Sequence, residues 1–124
     1  MSADVPAGPI LVVDDDDDSR FLLCEALRAR GFAALSVPSA AAGLIHLARA
    51  KVAAVVTDVQ MPGMSGIELC RQLRVSHPAL AVIVMSSALD DETWAQALAV
   101  GATTFMPKPI KVDSLVAELR TLLA

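Results

Sequence analysis

The sequence contains few aromatic residues and few cysteines. It has no Tyr, one Trp and three Phe, so aromatic residues make up 3% of a chain that is 55% hydrophobic. A chain of 124 residues can bury one aliphatic core but is too short for two domains. Cys24 and Cys70 lie in stretches with helical periodicity and lack the spacing of metal ligands. They are therefore predicted to be buried, reduced thiols, and not a disulfide or a zinc site.

Long apolar runs and basic clusters are also missing. Gly, Pro or charged residues interrupt each apolar run well short of the ~20 residues that a membrane span requires, and residues 1–8 lack the build of a signal peptide. These absences predict a cytoplasmic protein with no membrane partner. The net charge of −4 argues against nucleic-acid binding by this chain, because phosphate contacts need clustered Lys and Arg.

Short β-branched segments alternate with amphipathic segments along the chain. Strands are predicted over residues 9–14, 33–37, 53–57, 80–85 and 103–106, and helices over 19–30, 39–50, 65–76, 90–100 and 112–123. Ser19, Ser39 and Ser65 are the predicted N-caps, and Gly31 and Gly101 the predicted helix stops. Five βα units predict an α/β domain over residues 9–124, with a parallel sheet and helices on both faces, preceded by a tail over 1–8.

Polar residues follow the predicted strands at one end of this sheet. An apolar run ends at Asp58, and a loop with Pro62 and Gly63 follows almost at once. Open α/β sheets bind ligands at the carboxyl ends of their strands, so a carboxylate there is accessible to chemistry. The other strands end in further polar residues, which are Asp14, Asp15, Ser86, Ser87 and Lys108. All are predicted to converge on one crevice.

Such a cluster of carboxylates favours a metal ion and a phosphoryl group. Two carboxylates about 4 Å apart repel each other by about 4 kcal/mol at a protein-like effective dielectric, and a divalent cation relieves this repulsion. Oxygen ligands beside an open loop suit Mg²⁺. With Lys108 as a second cation, the site suits a dianionic phosphoryl group, with Asp58 as the nucleophile and Ser86 as a hydrogen-bond donor.

Residues 10–123 resemble the receiver domain of bacterial two-component response regulators. The resemblance rests on four motifs taken in order: Val-Val-Asp14-Asp15, Thr57-Asp58-Val59-Gln60-Met61-Pro62-Gly63, Val84-Met85-Ser86-Ser87, and Gly101-Ala102 leading through Phe105 to Pro107-Lys108-Pro109. It implies a flavodoxin-like, doubly wound, five-stranded parallel sheet in the order 2-1-3-4-5. It also implies a domain that catalyses only its own phosphorylation and dephosphorylation and is otherwise not an enzyme.

The resemblance also implies a role for each matching residue. Asp58 corresponds to the phospho-acceptor and also to a metal ligand, Asp15 to a direct Mg²⁺ ligand, and Asp14 to its partner acting through water. The remaining roles are a metal-binding backbone carbonyl at Gln60, a switch hydroxyl at Ser86, a phosphoryl-contacting lysine at Lys108, usually before a cis peptide bond, and an aromatic switch at Phe105. Ser87 stands where Ala is frequent, and Gln60 and Ala88 hold variable positions, so the lifetime of the phosphoryl group stays open.

The implied partners are a sensor histidine kinase or phosphotransfer protein as the donor, and an effector or a second receiver as the output. The output surface is predicted on the fourth helix, fifth strand and fifth helix. Trp94, within 90–100, either lies exposed on that surface or packs on the sheet. Met1 and the short tail favour an N-terminal position, in a receiver that stands alone or is followed by an output domain.

Three other readings of the same residues are possible. Val13-Asp14-Asp15-Asp16 after a strand resembles the site of haloacid-dehalogenase-type phosphatases, with Asp14 as the nucleophile, although those enzymes have longer chains. Asp14, Asp16, Asp18 and Glu25 have EF-hand spacing, although Ser19 stands where the loop needs Gly. A pseudo-receiver that binds partners without phosphorylation would keep the fold, but such chains usually lose an acidic residue or the lysine that this sequence retains.

Overall fold

The computed structural model describes residues 8–87 and 90–124. Within these ranges, strands and helices alternate as predicted. They are β1 (Ile10–Val13), α1 (Asp17–Ala29), β2 (Ala34–Val37), α2 (Ala40–Arg49), β3 (Ala54–Asp58), α3 (Gly66–Ser76), β4 (Ala81–Ser86), α4 (Asp91–Ala99), β5 (Thr104–Pro107) and α5 (Val112–Leu122). Residues 1–7 of the predicted tail, and Ala88, lie outside the described residues.

The five strands form one parallel sheet in the order β2-β1-β3-β4-β5. This confirms the predicted doubly wound fold. β3 lies in the middle, where Thr57 pairs with Val13 of β1 and Asp58 with Met85 of β4. Because the strands are parallel, the polar residues that end them lie along one edge of the sheet.

An apolar cluster covers each face of the sheet. Ile10 and Val12 point to the side of α1 and α5, whereas Leu11 and Val13 point to the side of α2, α3 and α4. β1 and β3 are buried throughout, which explains the apolar sequence of β1 and the apolar run Ala54-Val55-Val56 that begins β3. Cys24 and Cys70 are both free and buried, as predicted. Among the described residues, no helix is long and apolar enough to cross a membrane.

The helix ends follow the sequence signals, with one correction. Ser39 and Ser65 cap α2 and α3, and Gly31 and Gly101 follow α1 and α4 with a φ of 92° each. The predicted cap at Ser19 is wrong. Asp16 caps α1, because its carboxylate accepts a hydrogen bond of 2.8 Å from the backbone N–H of Ser19.

The corrected start of α1 also removes the EF-hand reading. Asp18 and Glu25 both lie within the continuous helix Asp17–Ala29, so they cannot belong to a calcium-binding loop that ends at Glu25. Asp17 and Asp18 occupy the first turn of α1. Negative side chains there interact favourably with the helix dipole.

Candidate functional site

The predicted carboxylates do meet at the carboxyl edge of the sheet. Asp14 follows β1 and is 1% exposed, and Asp58 ends the neighbouring β3 and is 7% exposed. Asp15 is exposed beside them. One carboxylate oxygen of each residue lies within 4.8 Å of the other two. The pairing of β1 with β3 therefore produces the cluster that the sequence predicted.

Lys108 lies against two of these carboxylates. Its Nζ is 3.1 Å from Oδ2 of Asp58 and 3.3 Å from Oδ2 of Asp14. Its backbone N–H donates a 2.8 Å hydrogen bond to the carbonyl of Ser86, a buried residue at the end of β4. The bond from Lys108 to Pro109 is cis, as the resemblance implied. These contacts bring all four strand ends named in the prediction to one site.

The pKa values of Asp58 and Lys108 are both raised, but for different reasons. Burial raises the pKa of Asp58, and the hydrogen bond and positive charge of Lys108 only partly offset that increase. Burial by itself would lower the pKa of Lys108, but the carboxylates of Asp58 and Asp14 outweigh it, and the pKa is raised. The lysine is thus held in its charged form. The Asp58 carboxylate is less well stabilised than it would be in water, so a cation or a covalent modification there relieves an unfavourable charge.

Short backbone contacts fix the end of β3. The Thr57 hydroxyl donates to the carbonyl of Asp58 at 3.0 Å, and the N–H of Gln60 donates to Oδ1 of Asp58 at 3.3 Å. The N–H of Gly66 bonds the carbonyl of Val59 at 2.9 Å. A Cβ at Gly66 would lie 2.0 Å from the Asp58 carbonyl oxygen, so only glycine fits there. The sequence prediction missed the supporting roles of Thr57 and Gly66.

The two aromatic residues named in the prediction contact each other. The rings of Trp94 in α4 and Phe105 in β5 have centroids 4.6 Å apart and planes inclined by 44°. Phe105 is 7% exposed and Trp94 is 46% exposed. Trp94 therefore packs against Phe105 of the sheet and leaves nearly half of its surface exposed to solvent, which combines the two predicted alternatives.

The chemistry of the donors fits Mg²⁺. The clustered groups offer carboxylate oxygens and no nitrogen or sulfur ligand, and hard cations of this kind prefer oxygen. Asp14 and Asp58 are buried and Asp15 is exposed, so the cluster is open on one side to solvent. An open side suits Mg²⁺, which usually keeps several of its waters. The backbone carbonyl of Gln60 stays a predicted ligand.

The chain belongs to the family of response regulator receiver domains. The model of that family, described as "Response regulator receiver domain", matches residues 10–120, which include every predicted site residue. The matched range contains the five strands in the order β2-β1-β3-β4-β5, the acidic cluster and Lys108.

Characterised relatives and solved structures agree with this assignment. The chain is 36% identical over 110 residues to the DNA-binding transcriptional regulator NtrC of Escherichia coli, covering 89% of this chain and 24% of NtrC. It is 38% identical over 112 residues to the transcriptional regulatory protein FixJ of Azorhizobium caulinodans, covering 90% of this chain and 53% of FixJ. The chain thus spans about a quarter to a half of the length of these relatives.

A solved receiver domain has the same fold. It is the signal receiver domain of a signal transduction histidine kinase from Syntrophus aciditrophicus, with a TM-score of 0.87 and 28% identity. The match covers 94% of this chain and 90% of that domain. Receiver domains of this kind thus occur both in transcriptional regulators and in a histidine kinase.

Proposed function

We propose that Asp58 accepts a phosphoryl group from a sensor histidine kinase or a phosphotransfer protein, with Mg²⁺ bound beside it. The observation that carries this proposal is the convergence of Asp14, Asp15 and Asp58 within 4.8 Å, with Lys108 against two of them. A buried carboxylate with a raised pKa, a metal-binding cluster and a fixed cation together suit the attack of a carboxylate on a phosphoryl group.

The transfer requires no oxidant, reductant or further substrate. An oxygen of Asp58 forms a bond to phosphorus, and the bond between phosphorus and the donor's imidazole nitrogen breaks. The imidazole keeps that electron pair and leaves as a neutral group when its other nitrogen carries a proton. Asp15 and Asp58 would hold Mg²⁺ directly, and Asp14 would hold it through water. The ion would neutralise charge on the phosphoryl oxygens. Lys108 supplies a second positive charge, and the Ser86 hydroxyl a hydrogen bond.

Phosphorylation of Asp58 then changes the surface formed by α4, β5 and α5. A phosphoryl group on Asp58 brings nearly two negative charges and new acceptor oxygens, which favour movement of Ser86 towards it. Phe105 then fills the space that Ser86 leaves, and its ring contact with Trp94 transmits the change to α4. The output is a contact with an effector or a second receiver on the face formed by α4, β5 and α5.

In this proposal the domain catalyses only its own phosphorylation and dephosphorylation and acts on no other substrate. The phosphoryl donor would be a histidine kinase or phosphotransfer protein with its active site in the cytoplasm, and the domain would work in the same compartment. Nucleic-acid binding is not proposed for this chain, because its net charge is −4 and binding to phosphates needs a basic face.

The test is phosphorylation by acetyl phosphate, followed by intact mass spectrometry. Wild-type protein should gain one phosphoryl group with Mg²⁺ and none in excess chelator. The variants Asp58→Asn and Asp15→Ala should gain little or none at the same Mg²⁺ concentration. Modification of Asp58→Asn at the wild-type rate, or full modification of the wild type in chelator, would overturn the proposal.

A further inference from the structure

Arg20 binds the segment that carries two of the clustered carboxylates. Its Nη1 donates a 3.0 Å hydrogen bond to the backbone carbonyl of Asp14, and its Nη2 lies 2.5 Å from Oδ1 of Asp17. The Arg20 side chain is 16% exposed, whereas that of Asp17 is 86% exposed. Of the two groups that Arg20 contacts, the Asp14 carbonyl is therefore the buried one. This carbonyl belongs to the peptide bond that joins Asp14 to Asp15.

Two further contacts hold the same segment. The Asp14 N–H bonds the carbonyl of Val37 at 3.3 Å, and Oδ1 of Asp14 accepts from the N–H of Asp16 at 3.0 Å. Arg20 restrains the carbonyl of the peptide that joins Asp14 to Asp15. The orientation of this peptide, together with the φ angle of Asp15, sets the direction in which the Asp15 side chain leaves the backbone.

The position of Arg20 is unfavourable for the helix that contains it. Arg20 is the fourth residue of α1, and a positive charge near a helix N-terminus opposes the helix dipole. Departures from a local rule of this kind tend to mark functional sites. Binding of the Asp14 carbonyl by a planar group with several donors accounts for an arginine at this position.

We propose that Arg20 is a positioning residue for the metal site, which sets the direction of Asp15 by holding the peptide between Asp14 and Asp15. This inference rests on the proposed function, since it concerns Mg²⁺ at the same carboxylates. Arg20 touches neither the metal nor the phosphoryl group in this account. Mutation of residues that support metal ligands in this way typically weakens metal binding by about 10-fold to 100-fold.

The sign of the effect separates positioning from charge. Arg20 carries a positive charge close to the carboxylates, and by Coulomb's law its removal alone would make Mg²⁺ bind more tightly. Loss of a positioning contact would make Mg²⁺ bind more weakly. The variant Arg20→Gln, which removes the charge and the double contact, therefore gives opposite results under the two explanations.

Arg28 provides a matched control on the same helix. Its Nη1 lies 2.8 Å from Oε1 of Glu25, and its Nη2 donates to the carbonyl of Ala34 at 2.7 Å. Like Arg20, it joins a carboxylate three residues earlier to a backbone carbonyl six residues away, but that carbonyl begins β2 at the far edge of the sheet from the site. Arg28→Gln removes the same kinds of contact as Arg20→Gln and should leave Mg²⁺ binding unchanged.

The experiment measures Mg²⁺ affinity by titration calorimetry for the wild type, Arg20→Gln, Arg20→Lys and Arg28→Gln. Positioning predicts about tenfold weaker binding in Arg20→Gln, and weaker binding in Arg20→Lys as well, because one ammonium group cannot reproduce the planar fork. With acetyl phosphate, the Mg²⁺ concentration for half-maximal phosphorylation should rise equally, while the rate at saturating Mg²⁺ stays within threefold of the wild-type rate.

The possible results are distinct. Unchanged or tighter Mg²⁺ binding by Arg20→Gln would overturn the inference, as would an equal loss of affinity in Arg28→Gln. A wild-type protein that binds no Mg²⁺ would overturn the proposed function itself. Tight binding by the wild type together with unchanged binding by Arg20→Gln would reject only the role of Arg20.

Discussion

Asp58 bears an unfavourable charge in the folded protein. Burial raises its pKa more than Lys108 lowers it, so ionised Asp58 reduces stability. Replacement by Asn removes this charge and its repulsion with Asp14, while Lys108 retains Asp14 as a partner. Without metal at neutral pH, we expect Asp58→Asn to be more stable by on the order of 1 kcal/mol, or about 4 °C in thermal midpoint. Thermal unfolding followed by circular dichroism measures this change.

The pH dependence of that gain follows from the direction of the shift. A carboxyl group with a raised pKa in the folded state contributes no cost below its unfolded pKa of about 3.9, and the cost grows as the pH rises from there through the folded pKa. The advantage of Asp58→Asn should therefore be full at high pH and fade as the pH falls towards about 4. A constant or growing advantage in acid would contradict the assignment of the charge to Asp58.

The positive charge of Lys108 offsets the negative charges of Asp14 and Asp58, and a bound metal ion can do the same. Lys108→Ala leaves the buried Asp14 and Asp58 without their cation, so its free energy of unfolding should fall by about 2 kcal/mol in the absence of metal. Mg²⁺ should bind this variant at least as tightly as the wild type, because a competing positive charge is gone. Scanning calorimetry measures the change in stability, and titration calorimetry measures the Mg²⁺ affinity. Loss of Mg²⁺ binding in Lys108→Ala would show that the lysine supports the metal and does not compete with it.

The sequence predicted the clustered residues because their positions follow from strand ends. Asp14, Asp58, Ser86 and Lys108 each end or follow a strand, and parallel pairing brings such residues together without further information. Arg20 and Thr57 were missed, since their roles depend on contacts to backbone carbonyls that a residue type does not reveal. The only sequence signal for Arg20 was its unfavourable place near the start of α1.

At the scale of elements, the contact between β3 and α3 sets a strict limit on Gly66. A Cβ there would lie 2.0 Å from the backbone oxygen of Asp58, and a backbone atom cannot give way as a flexible side chain can. We expect Gly66→Ala to lose at least about 2 kcal/mol of stability. Chemical denaturation measures the loss.

Gly43 in α2 is the matched control for this substitution. A Cβ there would make ordinary contacts of 3.5 Å with Val13 and 3.7 Å with Val37. Alanine is a better helix former than glycine by about 1 kcal/mol, so Gly43→Ala should be neutral or stabilising. Equal losses in Gly66→Ala and Gly43→Ala would mean that the approach of Gly66 to β3 is not the limiting contact.

The element boundaries show where a local pattern leaves a choice. Both Asp16 and Ser19 can cap a helix, and the sequence does not decide between them. In the structure Asp16 is the cap, and Ser19 supplies the N–H that it accepts, so α1 begins earlier than predicted. The other predicted caps, Ser39 and Ser65, had no equivalent competitor nearby and were confirmed.

At the scale of the whole molecule, α4 is the element most suited to report on the site. Ala97 is its only buried residue among those described, and the ring of Trp94 ties it to Phe105. Trp94 and Leu98 are both about half exposed on α4. A shallowly packed helix with exposed apolar side chains can move and can bind a partner at low cost.

Activation should therefore change the association state through Trp94. Mg²⁺ with beryllofluoride, which stands in for the phosphoryl group, should alter Trp94 emission and increase self-association or partner binding. Trp94→Ala should weaken this association about tenfold or more, as expected for an aromatic residue central to an interface, while Asp58 is still phosphorylated. Sedimentation velocity measures the effect, with Val75→Ala, an exposed apolar residue on α3, as the control. Equal association of Trp94→Ala and the wild type would remove Trp94 from the interface.

The measurement that most directly tests the account is the position of the phosphoryl group in the chain. Borohydride reduces an acyl phosphate of aspartate to homoserine, which peptide mass spectrometry locates. After treatment with acetyl phosphate and Mg²⁺, homoserine should appear at position 58 and not at position 14, and chelator should abolish it. Homoserine at position 14 would support the phosphatase reading with Asp14 as the nucleophile, and its absence from both positions would support a receiver that binds partners without phosphorylation. Either result would contradict the assignment of Asp58 as the phosphoryl acceptor.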